Sequence, residues 1–120
     1  MNTVERDILK IVESIQSFDA MERAHITDTA RWIRTATDGI FRISKPDNPP
    51  KHLVAYFVPI DIANRSLLLI DHVKSGLWLP PGGHVEVNEN PVTTVKREAH
   101  EELGLHAEFD MMFGDKPLLI

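Results

Sequence analysis

Between Asn90 and Gly104 the sequence marks both ends of a helix. Asn90 followed by Pro91 is a favoured cap and first-turn pair, and Gly104 is placed to stop the helix in the left-handed conformation. A helix over 91–103 puts Val92, Val95, Ala99 and Leu103 on one stripe, which should face a core. Glu98, Glu101 and Glu102 project from one side beside that stripe, three and four residues apart. Like charges at that spacing destabilise a helix by a few tenths of a kcal/mol per pair. Across residues 83–105 the chain gathers five glutamates (Glu86, Glu89, Glu98, Glu101, Glu102) with Arg97 among them. Any fold must either leave this face in water or give it a cation. Carboxylate oxygens suit hard ions such as Mg²⁺ or Mn²⁺.

The rest of the chain narrows the choice. Its 120 residues fit one domain with a modest core. The net charge of −5 argues against nonspecific binding to nucleic acid polymers. There is no cysteine, so thiolate metal sites and disulfides are excluded. The N-terminus "MNTVERDILK" carries charges where a signal peptide needs an apolar run, and no apolar run approaches the roughly 18 residues of a membrane span. A cytoplasmic protein without membrane contact is the expectation.

Val4, Ile8, Ile11, Val12 and Ile15 mark one face of a helix over 3–16, with Asn2 and Glu5 as a capping box. A second helix is expected over 20–36, capped by Asp19 and Glu22, with Met21, Ala24, Trp32 and Ile33 inward and Gly39 past its end. The two form a hairpin over 1–38, read as a packing element, with a substrate lid or dimer surface as the alternative. "IFRI" (40–43) is a short strand candidate, and "SKPDNPP" (44–50) a loop because its prolines remove backbone donors. "HLVAYFVPI" (52–60) reads as a largely buried strand, with Tyr56 and Phe57 in the core. "SLLLIDHV" (66–73) pairs with it across the "DIANR" turn. A short extended piece follows at 77–79. Past the acidic helix, "LHAEFDMMF" and "KPLLI" read as a strand and the start of another.

Gly82 and Gly83 stand before the acidic helix and let the backbone come close to a ligand or metal. The loop is neither a P-loop nor a dinucleotide fingerprint. Gly83 is followed by five residues, Glu89, seven residues, then Arg97, Glu98, Ala99, His100, Glu101, Glu102, Leu103, Gly104 and Leu105. This resembles the Nudix box, G-x5-E-x7-R-E-U-x-E-E-x-G-U, with U a bulky apolar residue. Every fixed position and both gaps match; Ala99 is smaller than the usual first U. The approach "GLWLPPGGHVE" also looks like the family, and the strands fit it over roughly 40–113.

The resemblance implies an α/β fold, a mixed β-sheet sandwiched by helices, with the helical hairpin at 1–38 and a Nudix-like domain at 39–120. It implies a hydrolase that splits a nucleoside diphosphate linked to another group, by metal-assisted attack of water on phosphorus. Glu98 and Glu102 would then be the primary ligands of Mg²⁺ (or Mn²⁺), Glu101 a further one, and a carbonyl of the Gly82–Gly83 turn would complete the site. Glu98 is one candidate to orient or deprotonate the water, and Arg97 would orient the glutamates. Glu89 would be structural or a weak outer ligand. Gly82, Gly83, His84 and Lys74 are candidate substrate contacts, with His72 and Glu86 near them. Trp78 reads as a packing anchor before a base-stacking platform, and His100 as solvated.

More strands and a final helix normally follow the box in this family, so a truncated C-terminal part is expected, with an unpaired edge that favours pairing of two copies. The alternative to an enzyme is a catalytically silent nucleotide-binding or regulatory module of the same fold. A third reading is an interaction domain that uses the hairpin.

Overall fold

A computed structural model describes residues 1–120. Helix α1 runs Thr3–Ser14 and begins with the capping box: the Glu5 amide donates to Asn2 Oδ1 (2.9 Å) and the Asn2 amide to Glu5 Oε2 (2.8 Å). Helix α2 runs Ala20–Thr35, with Asp19 Oδ1 accepting from the Glu22 amide at 2.7 Å. Helix α3 runs Pro91–Leu103, the span its local signals predict.

The inward stripe of α2 differs from the expected one. Met21 is 68% exposed and Ala24 is also exposed, while Glu22, Ala30 and Ile33 are buried and Ile26 half-buried. The stripe therefore runs 22–26–30–33, one side of the helix. A glutamate heads it because its carboxylate has partners: Oε1 accepts the Ile120 amide at 2.9 Å, and His25 Nδ1 lies 3.8 Å from Oε2.

Six short strands follow: β1 (Val54–Tyr56), β2 (Ile60–Asp61), β3 (Ser66–Leu67), β4 (Ile70–His72), β5 (Leu77–Leu79) and β6 (Gly82–His84). They form three antiparallel pairs, β1–β6, β2–β3 and β4–β5, where the resemblance implies one mixed sheet. The helices and strands make the fold α/β. The strand expected over 52–60 breaks after Tyr56, before Pro59, whose nitrogen carries no donor. Pairing nevertheless outlasts the strands: Val85 N–H donates to Leu53 O (3.1 Å) and Phe57 N–H to Pro81 O (2.9 Å), lengthening β1–β6 at both ends. Within this ladder Ala55 is buried and Tyr56 is 62% exposed. Period-two alternation puts Tyr56 on the outer face, which removes it from the expected core. Trp78 is 66% exposed and is no packing anchor, because the β4–β5 pair is hydrogen-bonded only to itself.

"IFRI" forms no strand. Ile40 and Phe41 are buried, and Ile40 O accepts the Leu53 amide at 2.8 Å. "LHAEFDMMF" forms none either. Asp110 Oδ1 accepts the amides of Met112 (2.8 Å) and Phe113 (3.3 Å), so the run closes into a turn instead of finding a strand partner. One apolar cluster joins the three helices and the β1–β6 pair: Ile8, Leu9 and Val12 of α1, Ala30 and Ile33 of α2, Ile40, Phe41, Ala55 and Val85, with Val95 of α3 packed against it. No helix is long and apolar enough to cross a membrane.

Candidate active site around the acidic helix

The position of α3 is set at both ends. Asn90 Oδ1 accepts the Val92 amide (2.9 Å), and Gly104 adopts φ 64°, a left-handed stop that costs glycine little. Between them Ala99 and Thr94 are buried, and α3 packs on β6 and β1.

Arg97 is the hub of the site. Its Nε donates to Glu89 Oε2 and its Nη2 to Glu89 Oε1, both at 2.9 Å, a two-pronged pair that matches the planar guanidinium. Nη2 also donates to the His84 carbonyl (3.0 Å), and Nη1 to Glu98 Oε1 (2.7 Å) and Glu101 Oε2 (3.4 Å). Glu86 stands 3.8 Å away. Thr94 Oγ1 adds a 2.6 Å hydrogen bond to Glu89 Oε1. The Arg97 hydrogen bonds hold the Glu89 carboxyl well below the usual range, at about 2, while Glu89 raises the guanidinium further above its ordinary value. With both oxygens engaged, Glu89 fastens the 86–90 loop to α3.

Glu98 is 8% exposed. Burial pushes its carboxyl up, against the opposing pull of Arg97, and Glu102 and Glu101 add like charge. Gly83 makes this placement possible: a Cβ there would overlap the Glu98 carboxyl group. Gly82 serves β1, since its Cβ would press on Tyr56 Cα at 2.8 Å. Both glycines thus make room for protein atoms. Glu101 and Glu102 are exposed; Glu101 meets Arg97, and Glu102 has no hydrogen-bond partner. The structure brings Glu89, Arg97, Glu98, Glu101 and Gly83 together. It does not draw three acidic or histidine side chains into a ready metal-binding group. The oxygen donors still fit a hard divalent ion, because a buried carboxylate with one oxygen on Arg97 and the other unengaged lies one helical turn from an unpaired one.

Lys74 lies in the exposed β4–β5 turn, and neither β4 nor β5 pairs with β6. His72 is bound to Ser75 across that same turn (2.9 Å). His84, half-buried, meets a residue that sequence reasoning passed over: His52 Nε2 lies 2.9 Å from His84 Nδ1, and His52 Nδ1 lies 2.7 Å from Pro49 O. A carbonyl only accepts, so His52 Nδ1 carries a proton. In the neutral pair His84 Nδ1 then donates to His52 Nε2, and His84 Nε2 is an acceptor. Burial, then Arg42 and His52, lower the His84 value, which favours that neutral form. No local spacing joins residues 52 and 84; the β1–β6 register does, by pairing Val54 with His84.

The NUDIX domain family profile matches residues 50–116, more than half of the chain. A MutT-like protein of Streptomyces ambofaciens is 37% identical over 67 residues, covering 56% of this chain and 44% of the relative. The m7GpppN-mRNA hydrolase NUDT17 of Danio rerio is 39% identical over 62 residues, covering 48% of this chain and 21% of the relative. The aligned stretch thus spans less than half the length of either relative. No solved structure matches the chain. The profile match, over residues that include every fixed position of the box, makes this chain a member of the Nudix family.

Proposed function

We propose that the chain is a hydrolase of phosphoric anhydride bonds, acting on a nucleoside diphosphate linked to another group or on a related nucleotide. Water attacks phosphorus, with Mg²⁺ or Mn²⁺ as the proposed cofactor. The observation that carries the reading is Glu98: a buried carboxylate with Oε1 on Arg97 and Oε2 without a protein partner, beside a glycine that leaves it space. Glu98 and Glu102 are the proposed ligands, with Glu101 as a third and a carbonyl at Gly82–Gly83 as a fourth. When bound, a divalent cation supplies charge neutralisation for the pyrophosphate and acidifies the attacking water.

Glu98 orients the water and is the candidate to take its proton, through Oε2, which no protein group engages. Arg97 keeps Glu98 and Glu89 in place. Lys74, in the β4–β5 turn, is a proposed phosphate contact. The absence of cysteine fits a cytoplasmic location. A homodimer is the proposed assembly, and light scattering would report whether two copies associate.

The test is phosphate or nucleotide release from sugar nucleotides, dinucleoside polyphosphates, nucleoside triphosphates and a capped RNA fragment, with Mg²⁺ or Mn²⁺. Turnover that falls by orders of magnitude in Glu102→Gln supports the reading. Silence of the folded protein on the whole panel would favour a binding module.

A further inference from the structure

A cavity adjoins the box on the side of His84. It measures about 390 Å³ and is lined by Arg42, Ser44, Lys45, His84 and Glu86 among others. Its cations lack carboxylate partners. Arg42 is half-buried, forms no ion pair, and spends only Nη1 on a long contact to Pro46 O (3.5 Å). Lys45 forms no ion pair either. The one carboxylate in the lining, Glu86, stands 3.8 Å from Arg97 and shares its charge there. A half-buried guanidinium with most of its donors unused by the protein is suited to an oxyanion.

The geometry points to this cavity as a subsite for a terminal phosphate of the substrate, a group distinct from the bond that is cut. This rests on the hydrolase reading above. Arg42 and Lys45 face the anion and Ser44 offers a hydroxyl donor. His84 lines the cavity beside them, its ring oriented by His52, which is itself held by Pro49 O. A terminal phosphate carries up to two negative charges where a bridging phosphate diester carries one, so a pair of cations favours the terminal group. Glu86 joins the two regions, because it lines the cavity and reaches Arg97.

The first test titrates metal-free protein with inorganic phosphate, and separately with dimethyl phosphate, by amide and imidazole NMR. Phosphate should shift Arg42, Ser44, Lys45 and the His84 ring, and dimethyl phosphate should bind at least tenfold more weakly. The Arg42→Gln/Lys45→Gln double variant should lose phosphate binding at least tenfold, while Glu98→Gln retains it. Shifts centred on α3, or equal binding by the double variant, would overturn the subsite. The second test compares KM for substrates with and without a terminal phosphate. The double variant should raise KM tenfold only for the former. An unchanged KM beside lost phosphate binding would mean that the cavity takes free anions and not substrate. If the wild type turns over nothing, the hydrolase reading fails by itself, and the phosphate titration still decides whether the cavity holds an anion.

Discussion

Arg97 holds Glu89 through two parallel hydrogen bonds, Nε to Oε2 and Nη2 to Oε1, each 2.9 Å long. The side chains are 22% and 10% exposed, so the pair is largely withdrawn from water. Because the folded Glu89 value is depressed to about 2, its contribution is present above the ordinary glutamate range. It is lost as pH falls through the folded value. Glu89→Gln should therefore cost about 2–3 kcal/mol at pH 7 and flatten the loss of stability between roughly pH 4.5 and pH 2. Urea unfolding across that range checks both. Arg97→Leu should cost more, about 3–5 kcal/mol, because it strands Glu89 and Glu98 without a counter-charge. Arg97→Lys should recover only part, since an ammonium cannot make the parallel bonds.

The adjacent glycines should fail differently. A Cβ at Gly82 meets the backbone of β1, including Tyr56 Cα at 2.8 Å, and backbone cannot step aside cheaply. A Cβ at Gly83 meets the tip of the Glu98 side chain, which can rotate away. Gly82→Ala should lower the melting temperature by many degrees. Gly83→Ala should stay folded, with a stability loss near 1 kcal/mol, yet lose most turnover because Glu98 is displaced. Circular dichroism melts beside the hydrolysis assay separate the two outcomes.

Glu98 and Glu102 should also divide stability from activity. Burial raises the folded Glu98 value, so its ionisation weakens the fold as pH rises past the ordinary glutamate range. In metal-free buffer at pH 7, Glu98→Gln should melt no lower than wild type. Glu102 is exposed and unpartnered, so Glu102→Gln should change stability by less than about 0.5 kcal/mol. Both should cut turnover by orders of magnitude, and both should weaken the rise in melting temperature that Mg²⁺ gives the wild type.

The start of α3 offers a plainer check. Asn90→Ala removes the acceptor for the Val92 amide and should cost about 1 kcal/mol. The Glu89–Arg97 pair spans the same junction, so turnover should fall modestly with it.

Local signals were legible and tertiary ones were not. Asn90–Pro91 and Gly104 gave α3 its limits because caps are decided within a few residues, and the same holds for Asn2 and Glu5 at α1. The box spacing located the carboxylates for the same reason. The strands came out shorter than their apolar runs because a strand needs a partner, and Pro59 and the turn at Asp110 interrupt the pairing. Glu22 was overlooked as a buried residue since its partner, Ile120, lies 98 positions away. The His52–His84 contact depends on β1–β6 register, and no periodicity in the sequence encodes it.

The hydrogen bond from Arg97 Nη1 to Glu98 Oε1 has a consequence for cation choice. With Glu98 as the proposed ligand, a metal would find one oxygen already engaged, and the carboxylate would have one left to offer. Calcium, which takes six to eight oxygens and often both of a carboxylate, would lose by that arrangement. Magnesium, which keeps several waters, would not. The arginine of the box would then act as an ion filter as well as a brace, and replacing it should narrow the gap between the two ions in a competition assay.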